Sequence, residues 1–203
     1  GLYQLVNSDY VHHYGNDDDY ADELAQFVFD SFVECYEGKP APHGGTYLPA
    51  IYSVTANVAY GRGMAGGVEG RKAGEPVSDN MGAVHTYCAS HDVNGPTAFC
   101  NSVTKLNHMR ATNGTLTNWK FSPATLTGDA GRDAWISLID QYIHQKGLHG
   151  QFTVASKEVL EDAQRRPDDY KDLLVRVAGY SAYFVELNKD VQDDIIGRTE
   201  LAF

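Results

Sequence analysis

Cysteine is scarce in this chain: three in 203 residues, at positions 35, 88 and 100. The number is odd and CxxC spacing is missing, which argues against a disulfide framework and fits a reducing compartment. No apolar run approaches about eighteen residues, and no charged-then-apolar segment opens the sequence. Neither a transmembrane helix nor a secretory signal is therefore expected, and the cytoplasm is the default location. Positive charge is also short. With 16 Lys and Arg against 27 Asp and Glu, the formal net charge is −11, and without a basic stripe this argues against nucleic acid or an anionic membrane as partner. His-Glu-x-x-His, Gly-x-Ser-x-Gly and the P-loop are all missing, which removes the common zinc-protease, serine-hydrolase and phosphate-binding signatures. There is no internal repeat and no low-complexity linker.

What remains is a chain long enough for one domain, burying roughly 70% of the surface its unfolded form exposes. Asp17, Asp18 and Asp19 precede apolar residues at Leu24, Phe27, Val28 and Phe32. That spacing predicts an amphipathic helix over 18–36 with carboxylates at its positive end. Without Gly and Glu at calcium-loop spacing, the carboxylates read as a cap rather than a cation site. Lys39-Pro40 through Gly45 breaks the chain, and the β-branched and aromatic residues between Thr46 and Tyr60 predict a strand. Gly61-Arg62-Gly63-Met64-Ala65-Gly66 fits G-x-G-x-x-G. Gly67 and Gly70 follow, however, where a dinucleotide-binding unit needs a helix, so the stretch to Asp79 reads as a long irregular loop.

Further along, Pro96 opens a helix with apolar positions Ala98, Val103 and Leu106, and Thr115 to Phe121 reads as a strand. A helix over 133–145 carries Trp135, Leu138, Ile139, Tyr142 and Ile143 and is ended by Gly147. A strand over 151–155 follows, then a helix capped by Ser156 and running to about Arg165. Leu173 to Val177 is a short apolar run, and Asn188 caps a final helix through Val191, Ile195 and Ile196. Strands alternating with helices predict an α/β arrangement with at least partly parallel strands.

His85, Cys88 and His91 recur at intervals of three, but a zinc site needs three or four convergent ligands and no fourth is near, so no metal is expected. Cys100, on the helix opened by Pro96, and Cys35, near the end of the first helix, read as buried structural thiols.

The most informative stretch is Val175-Arg176-Val177-Ala178-Gly179-Tyr180-Ser181. Alone, its glycine reads as a tight turn. It has company in order along the chain: Gly15-Asn16-Asp17-Asp18-Asp19-Tyr20, then Gly70-Arg71-Lys72-Ala73-Gly74-Glu75-Pro76, then Gly95-Pro96-Thr97-Ala98 with Asn101-Ser102-Val103. Gly114-Thr115-Leu116 through Phe121 and the tail Gln192-Asp193-Asp194-Ile195-Ile196 with Arg198-Thr199-Glu200 complete the series. Together these segments resemble the glycyl radical enzymes, the pyruvate formate-lyase-like superfamily, over nearly the whole chain. Removing a hydrogen from a glycine α-carbon leaves a planar radical shared between an electron-donating amide nitrogen and an electron-withdrawing carbonyl, with no side chain to twist it.

The resemblance implies the C-terminal part of a ten-stranded α/β barrel built from two half-barrels, with the radical glycine on a loop inserted at its centre. Residues 1–125 would supply the barrel part and residues 126–203 the glycine radical domain. It implies Gly179 as the radical carrier, with Arg176, Ala178, Tyr180 and Ser181 supporting its loop. The radical would be installed by a radical S-adenosylmethionine activating enzyme with an iron–sulfur cluster, so this chain itself would bind no cofactor and no metal. Stored on Gly179, the radical would pass to a cysteine upstream of the matched part, which abstracts hydrogen from a small-molecule substrate. Cys35-Tyr36-Glu37 has Cys-x-Glu spacing, but its surroundings do not match the family's cysteine loop. The full-length protein is expected to be a homo-oligomer.

Val-Ala-Gly-Tyr-Ser-Ala is more similar to the dehydratase and lyase branch than to pyruvate formate-lyase proper. A fumarate-adding enzyme and a formate acetyltransferase-like enzyme stay open, and the substrate is not legible. Gly150 and Gly197 stand where the family more often has side chains. The chain begins at Gly1, without a methionine, and reads as the C-terminal piece of something longer. A reading of another class is an autonomous glycyl radical cofactor that replaces an oxygen-cleaved C-terminus, although the match extends well upstream of the radical domain. A plain α/β binding module is the third reading.

Overall fold

A computed structural model describes residues 1–6, 8, 10–68, 70–83 and 91–203. Among them the helices are α1 (Leu2–Val6), α2 (Asp19–Tyr36), α3 (Ala56–Arg62), α4 (Gly95–Lys105), α5 (Gly128–His144), α6 (Lys157–Arg165) and α7 (Lys189–Gly197). The strands are β1 (Thr117–Phe121), β2 (Gly150–Val154), β3 (Leu174–Arg176), β4 (Ser181–Tyr183) and β5 (Glu200–Leu201). Strand β1 is central in a three-stranded sheet ordered β2-β1-β5 and runs parallel to both neighbours. Strands β3 and β4 form a separate antiparallel hairpin. The chain is thus α/β with mostly parallel pairing, as the alternation of elements predicts.

Every residue of β1 is buried, and its two faces differ in chemistry because side chains alternate along a strand. Trp119 and Phe121 point into an aromatic core with Phe99, Phe152 and Trp135. Phe99 meets Trp119 edge-on at 4.8 Å between ring centroids, a geometry worth about 0.5–1.5 kcal/mol beyond the area buried. The intervening Asn118 and Lys120 face the other way, as do Gln151 and Thr153 of β2, and all four are buried. The sheet therefore has an oily side and a polar side. A second core, including Val58, Leu160, Val175, Val177, Phe184, Ile195 and Ile196, packs α6, α7 and the hairpin together.

Several predicted elements lie where the spacing put them. Asp18 caps α2 by accepting from the amides of Tyr20 and Ala21, Ser156 caps α6 through Val159 N–H, and Asn188 caps α7 through Val191 N–H. The strand expected between Thr46 and Tyr60 does not form. Thr46 and Ile51 make isolated bridges to Pro40 and Thr115, while Val54 and Thr55 take left-handed φ values of 47° and 70°, which a strand cannot accommodate. The chain then winds into α3, where Val58 joins the second core and Asn57 donates to Asp194 Oδ1 at 3.0 Å. Tertiary burial here overrides local β propensity.

The buried face of α2 is also not the one the spacing singled out. Asp22, Phe29 and Val33 are buried, whereas Leu24, Phe27, Val28 and Phe32 are between 40% and 68% exposed. The helix has two apolar stripes, and the described residues cover one. Helix α5 begins earlier than expected, at Gly128. Its exit turns through Lys146 at φ 69° and brings Gly147 so close to the Tyr142 ring that an added Cβ would lie 2.2 Å from it.

Candidate functional site

Register pairs Arg176 with Ser181 across the hairpin, leaving residues 177–180 as a tight turn closed by a bond from Val177 N–H to Tyr180 O at 2.9 Å. Gly179 takes φ +81°, the left-handed conformation that such a turn requires and that glycine adopts without strain. Among the described residues, a Cβ built on Gly179 would meet no heavy atom within 4 Å beyond its chain neighbours. Val177 and Ala178 are buried beneath the turn, while Gly179, Tyr180 and Ser181 are exposed.

Arg176 spans the turn with its whole guanidinium. Nη1 donates to Ser181 Oγ at 3.1 Å, Nη2 to the carbonyl oxygen of Gly179 at 3.3 Å, and Nε to Gln151 Oε1 at 2.9 Å. The same Gln151 oxygen accepts from Gly179 N–H at 2.5 Å. Thr153, next on the polar face of β2, exchanges bonds with the backbone N–H and C=O of Arg176 at 3.3 and 3.2 Å. The polar side of the sheet is thus the seat of the turn.

A second anchor comes from the tail. Arg198, 6% exposed, donates through Nη1 to Val177 O at 2.9 Å and to Arg176 O at 3.3 Å. Its charge is met by Asp194 and Asp79, each at 3.1 Å. Asp79 Oδ2 accepts from Asn118 Nδ2 at 2.5 Å, and Asn118 Oδ1 accepts from Gln151 Nε2 at 2.9 Å. The side chains of Gln151, Asn118, Asp79 and Arg198 therefore close a ring that starts at Gly179 N–H and returns to the turn at Val177 O. Beside it, Lys120 is 2% exposed and donates to Ile196 O at 3.0 Å, capping the negative end of α7. Burial pushes its pKa down to about 8.

Of the residues the sequence singled out, Arg176, Gly179 and Ser181 are joined directly by hydrogen bonds, Ala178 packs beneath the turn, and Tyr180 supplies the carbonyl that closes it. Gln151, Asn118, Asp79 and Arg198 were not singled out as site residues, although Asn118 and Arg198 lie in segments that carry the resemblance. The usable signal was alternation: Asn118 and Gln151 each sit out of step with the aromatics of a strand otherwise bound for the core.

The cysteines divide. Cys100 is buried, with burial pushing its thiol up to about 12, as a structural thiol should be. Cys35 is exposed, contrary to the buried role expected of it, because it lies on the side of α2 away from Phe29 and Val33. His85 and Cys88 lie outside the described residues; His91 stacks on His13 at 4.0 Å between ring centroids. At Gly150 a Cβ would press on the Phe152 ring at 3.3 Å, whereas Gly197 has open space around it, so local packing favours glycine only at the former.

The family description "Glycine radical" matches residues 85–185, and "Pyruvate formate lyase-like" matches residues 2–61. The chain belongs to the glycyl radical enzymes. A (2S)-3-sulfopropanediol dehydratase of Klebsiella oxytoca is 54% identical over 202 residues, 100% of this chain and 24% of that protein. Among solved structures, the hydroxyproline dehydratase of Clostridioides difficile with trans-4-hydroxy-L-proline bound superposes with a TM-score of 0.92 at 41% identity, covering 100% of this chain and 25% of the other. The glycerol-bound B12-independent glycerol dehydratase of Clostridium butyricum gives 0.91 at 42% identity, again over 100% of this chain and 25% of the other. The chain thus spans about a quarter of the length of these glycyl radical relatives, and its fold is the C-terminal part of their α/β barrel. Among the described residues no helix is long and apolar enough to cross a membrane.

Proposed function

We propose that this chain is the radical-bearing part of an oxygen-sensitive glycyl radical enzyme of the dehydratase and lyase type, with Gly179 as the radical carrier. The observation that carries the reading is the turn itself. Within the region matched to the radical family, Gly179 has open space at its α-carbon together with side-chain hydrogen bonds on both its N–H and its C=O. Gly131 and Gly147, by contrast, are pressed to within 2.5 Å and 2.2 Å of neighbouring atoms by a built Cβ.

In this reading an activating enzyme of the radical S-adenosylmethionine class removes one hydrogen atom from Gly179, and the iron–sulfur cofactor belongs to that partner. The stored radical passes to a cysteine elsewhere in the full-length enzyme, whose thiyl form takes hydrogen from a small-molecule substrate. Elimination of water, or cleavage of a carbon–heteroatom or carbon–carbon bond, follows, and the hydrogen is returned. Arg176, Ala178, Tyr180 and Ser181 hold the loop. Residues 126–203 act as the radical domain on the barrel part formed by residues 1–125, and strand β1 of the barrel part pairs with β2 and β5 of the radical domain. The similarity to dehydratases favours this branch over the fumarate-adding one.

Gly179→Ala tests the assignment with little steric disturbance, because the added methyl enters open space and only the left-handed backbone resists, at about 1 kcal/mol or slightly more. The full-length variant should fold and yet show no glycyl radical signal by EPR after anaerobic activation. A persistent signal places the radical elsewhere.

A further inference from the structure

Gly179 is polarised at both ends. Its N–H donates to Gln151 Oε1 at 2.5 Å and its carbonyl oxygen accepts from Arg176 Nη2 at 3.3 Å. The two partners are themselves joined by Arg176 Nε donating to the same Gln151 oxygen at 2.9 Å. Gln151 is 3% exposed, and its amide NH2 is held by Asn118, so the accepting oxygen is aimed at the turn. Closing a hairpin turn does not need this arrangement, since the backbone bond between Val177 and Tyr180 already does so.

We propose that Gln151 and Arg176 form an electronic clamp on Gly179, acting as positioning residues that set the stability and reactivity of a radical at its α-carbon. The inference rests on Gly179 being the radical carrier. When a carbon-centred radical supplied by the activating enzyme takes a hydrogen atom, the Gly179 C–H bond breaks and a new C–H bond forms on the acceptor. The unpaired electron stays on Gly179, spread into the amide nitrogen on one side and the carbonyl on the other. An acceptor on the N–H raises electron density at nitrogen and makes it a better donor. A cationic donor on the carbonyl oxygen lowers its π* level and makes it a better acceptor. Both bonds therefore stabilise the same delocalised state, and they do so beside a buried polar network where hydrogen bonds act strongly. The requirement also accounts for arginine at position 176. One planar guanidinium reaches Gln151, Ser181 and the glycine carbonyl from three different nitrogens, which a lysine ammonium cannot imitate.

The test is EPR on the anaerobically activated full-length protein. Gln151→Met and Arg176→Met are each expected to lower the radical per chain about tenfold, equivalent to about 1.4 kcal/mol. Arg176→Met should also raise the principal g-values that follow spin density on the carbonyl oxygen. Gln151→Glu keeps an accepting oxygen for Gly179 N–H, gives up the donation to Asn118 and adds a negative charge that Arg176 meets, so it should restore the signal that Gln151→Met loses. If the methionine variants cannot be activated at all, pulsed EPR of the unsubstituted protein in D2O decides: deuteron couplings are expected from the Gly179 amide and from a guanidinium N–D at the carbonyl. Unchanged g-values and couplings in both methionine variants, or no guanidinium deuteron near the carbonyl in the unsubstituted protein, would overturn the clamp. A signal that survives Gly179→Ala would instead remove the radical assignment beneath it.

Discussion

Lys120 shows how much a single side chain can be asked to endure. It stands mid-strand on the central strand of the sheet, and burial is the main cause that lowers its pKa from 10.5 to about 8, with Arg198 and Lys157 adding repulsion and Glu200 partly opposing them. Below pH 8 the folded protein holds a buried charge that the unfolded chain carries in water. Between pH 8 and about 10.5 the folded state has shed that proton while the unfolded state keeps it. The unfolded state then binds more protons, so stability rises with pH across this window, by about 3 kcal/mol at most. Denaturant unfolding from pH 7 to 10.5 should show this rise in the native sequence and a flatter profile in Lys120→Met. Arg198 is the opposite case, a buried cation met by two carboxylates. Arg198→Met leaves Asp79 and Asp194 buried without it and should cost about 3–5 kcal/mol, measurable by the same unfolding experiment. Neither role was legible in the sequence. A lysine in a β-run reads as a solvent-facing position, and nothing local says that position 198 lies under position 177.

At the level of elements, caps and helix positions were legible because they are local, although the buried face of α2 was not: Asp18, Ser156 and Asn188 each bond within their own first turn. The failures were tertiary. The region after Thr46 had the composition of a strand and became a bridge, a left-handed pair and α3, because Val58 is drawn into a core made by residues far along the chain. The candidate turn was legible as a motif, but its seat on the polar face of β1 and β2 was not. In the proposed reading, that seat bears on how an activating enzyme reaches Gly179. Strand β2 pairs with β1 along its whole length, so the segment free to move is the β3–β4 hairpin, which is held to the sheet by Gln151 and Thr153 and to the tail by Arg198. Adding the activating enzyme should therefore raise hydrogen exchange over residues 170–190 and leave β1 and β2 protected. Equal protection of 170–190 with and without it would contradict this opening.

Across the whole molecule, the described residues cover the base of the turn and leave Gly179 itself exposed. In the proposed reading the radical needs a shield from oxygen during turnover, and the described residues do not provide it at Gly179. The exposed stripe of α2 belongs to the same picture, since Leu24, Phe27, Val28 and Phe32 suit a helix packed on both sides. Air admitted to the activated full-length protein should cut the backbone at Gly179 and release the C-terminal piece, visible by mass spectrometry. Unactivated protein should stay whole.

Free glycine has two interchangeable hydrogens, but a glycine pinned at φ +81° between two side-chain partners does not. The hydrogen occupying the place where an L-residue would carry its Cβ is the pro-S one, and around that place no heavy atom of the described residues other than its chain neighbours lies within 4 Å. The hairpin thus confers handedness on an achiral residue. A planar radical at Gly179, as proposed, would lose that handedness the moment it forms while the frame around the turn keeps it, so the face from which hydrogen comes back would be a property of the fold and not of the residue.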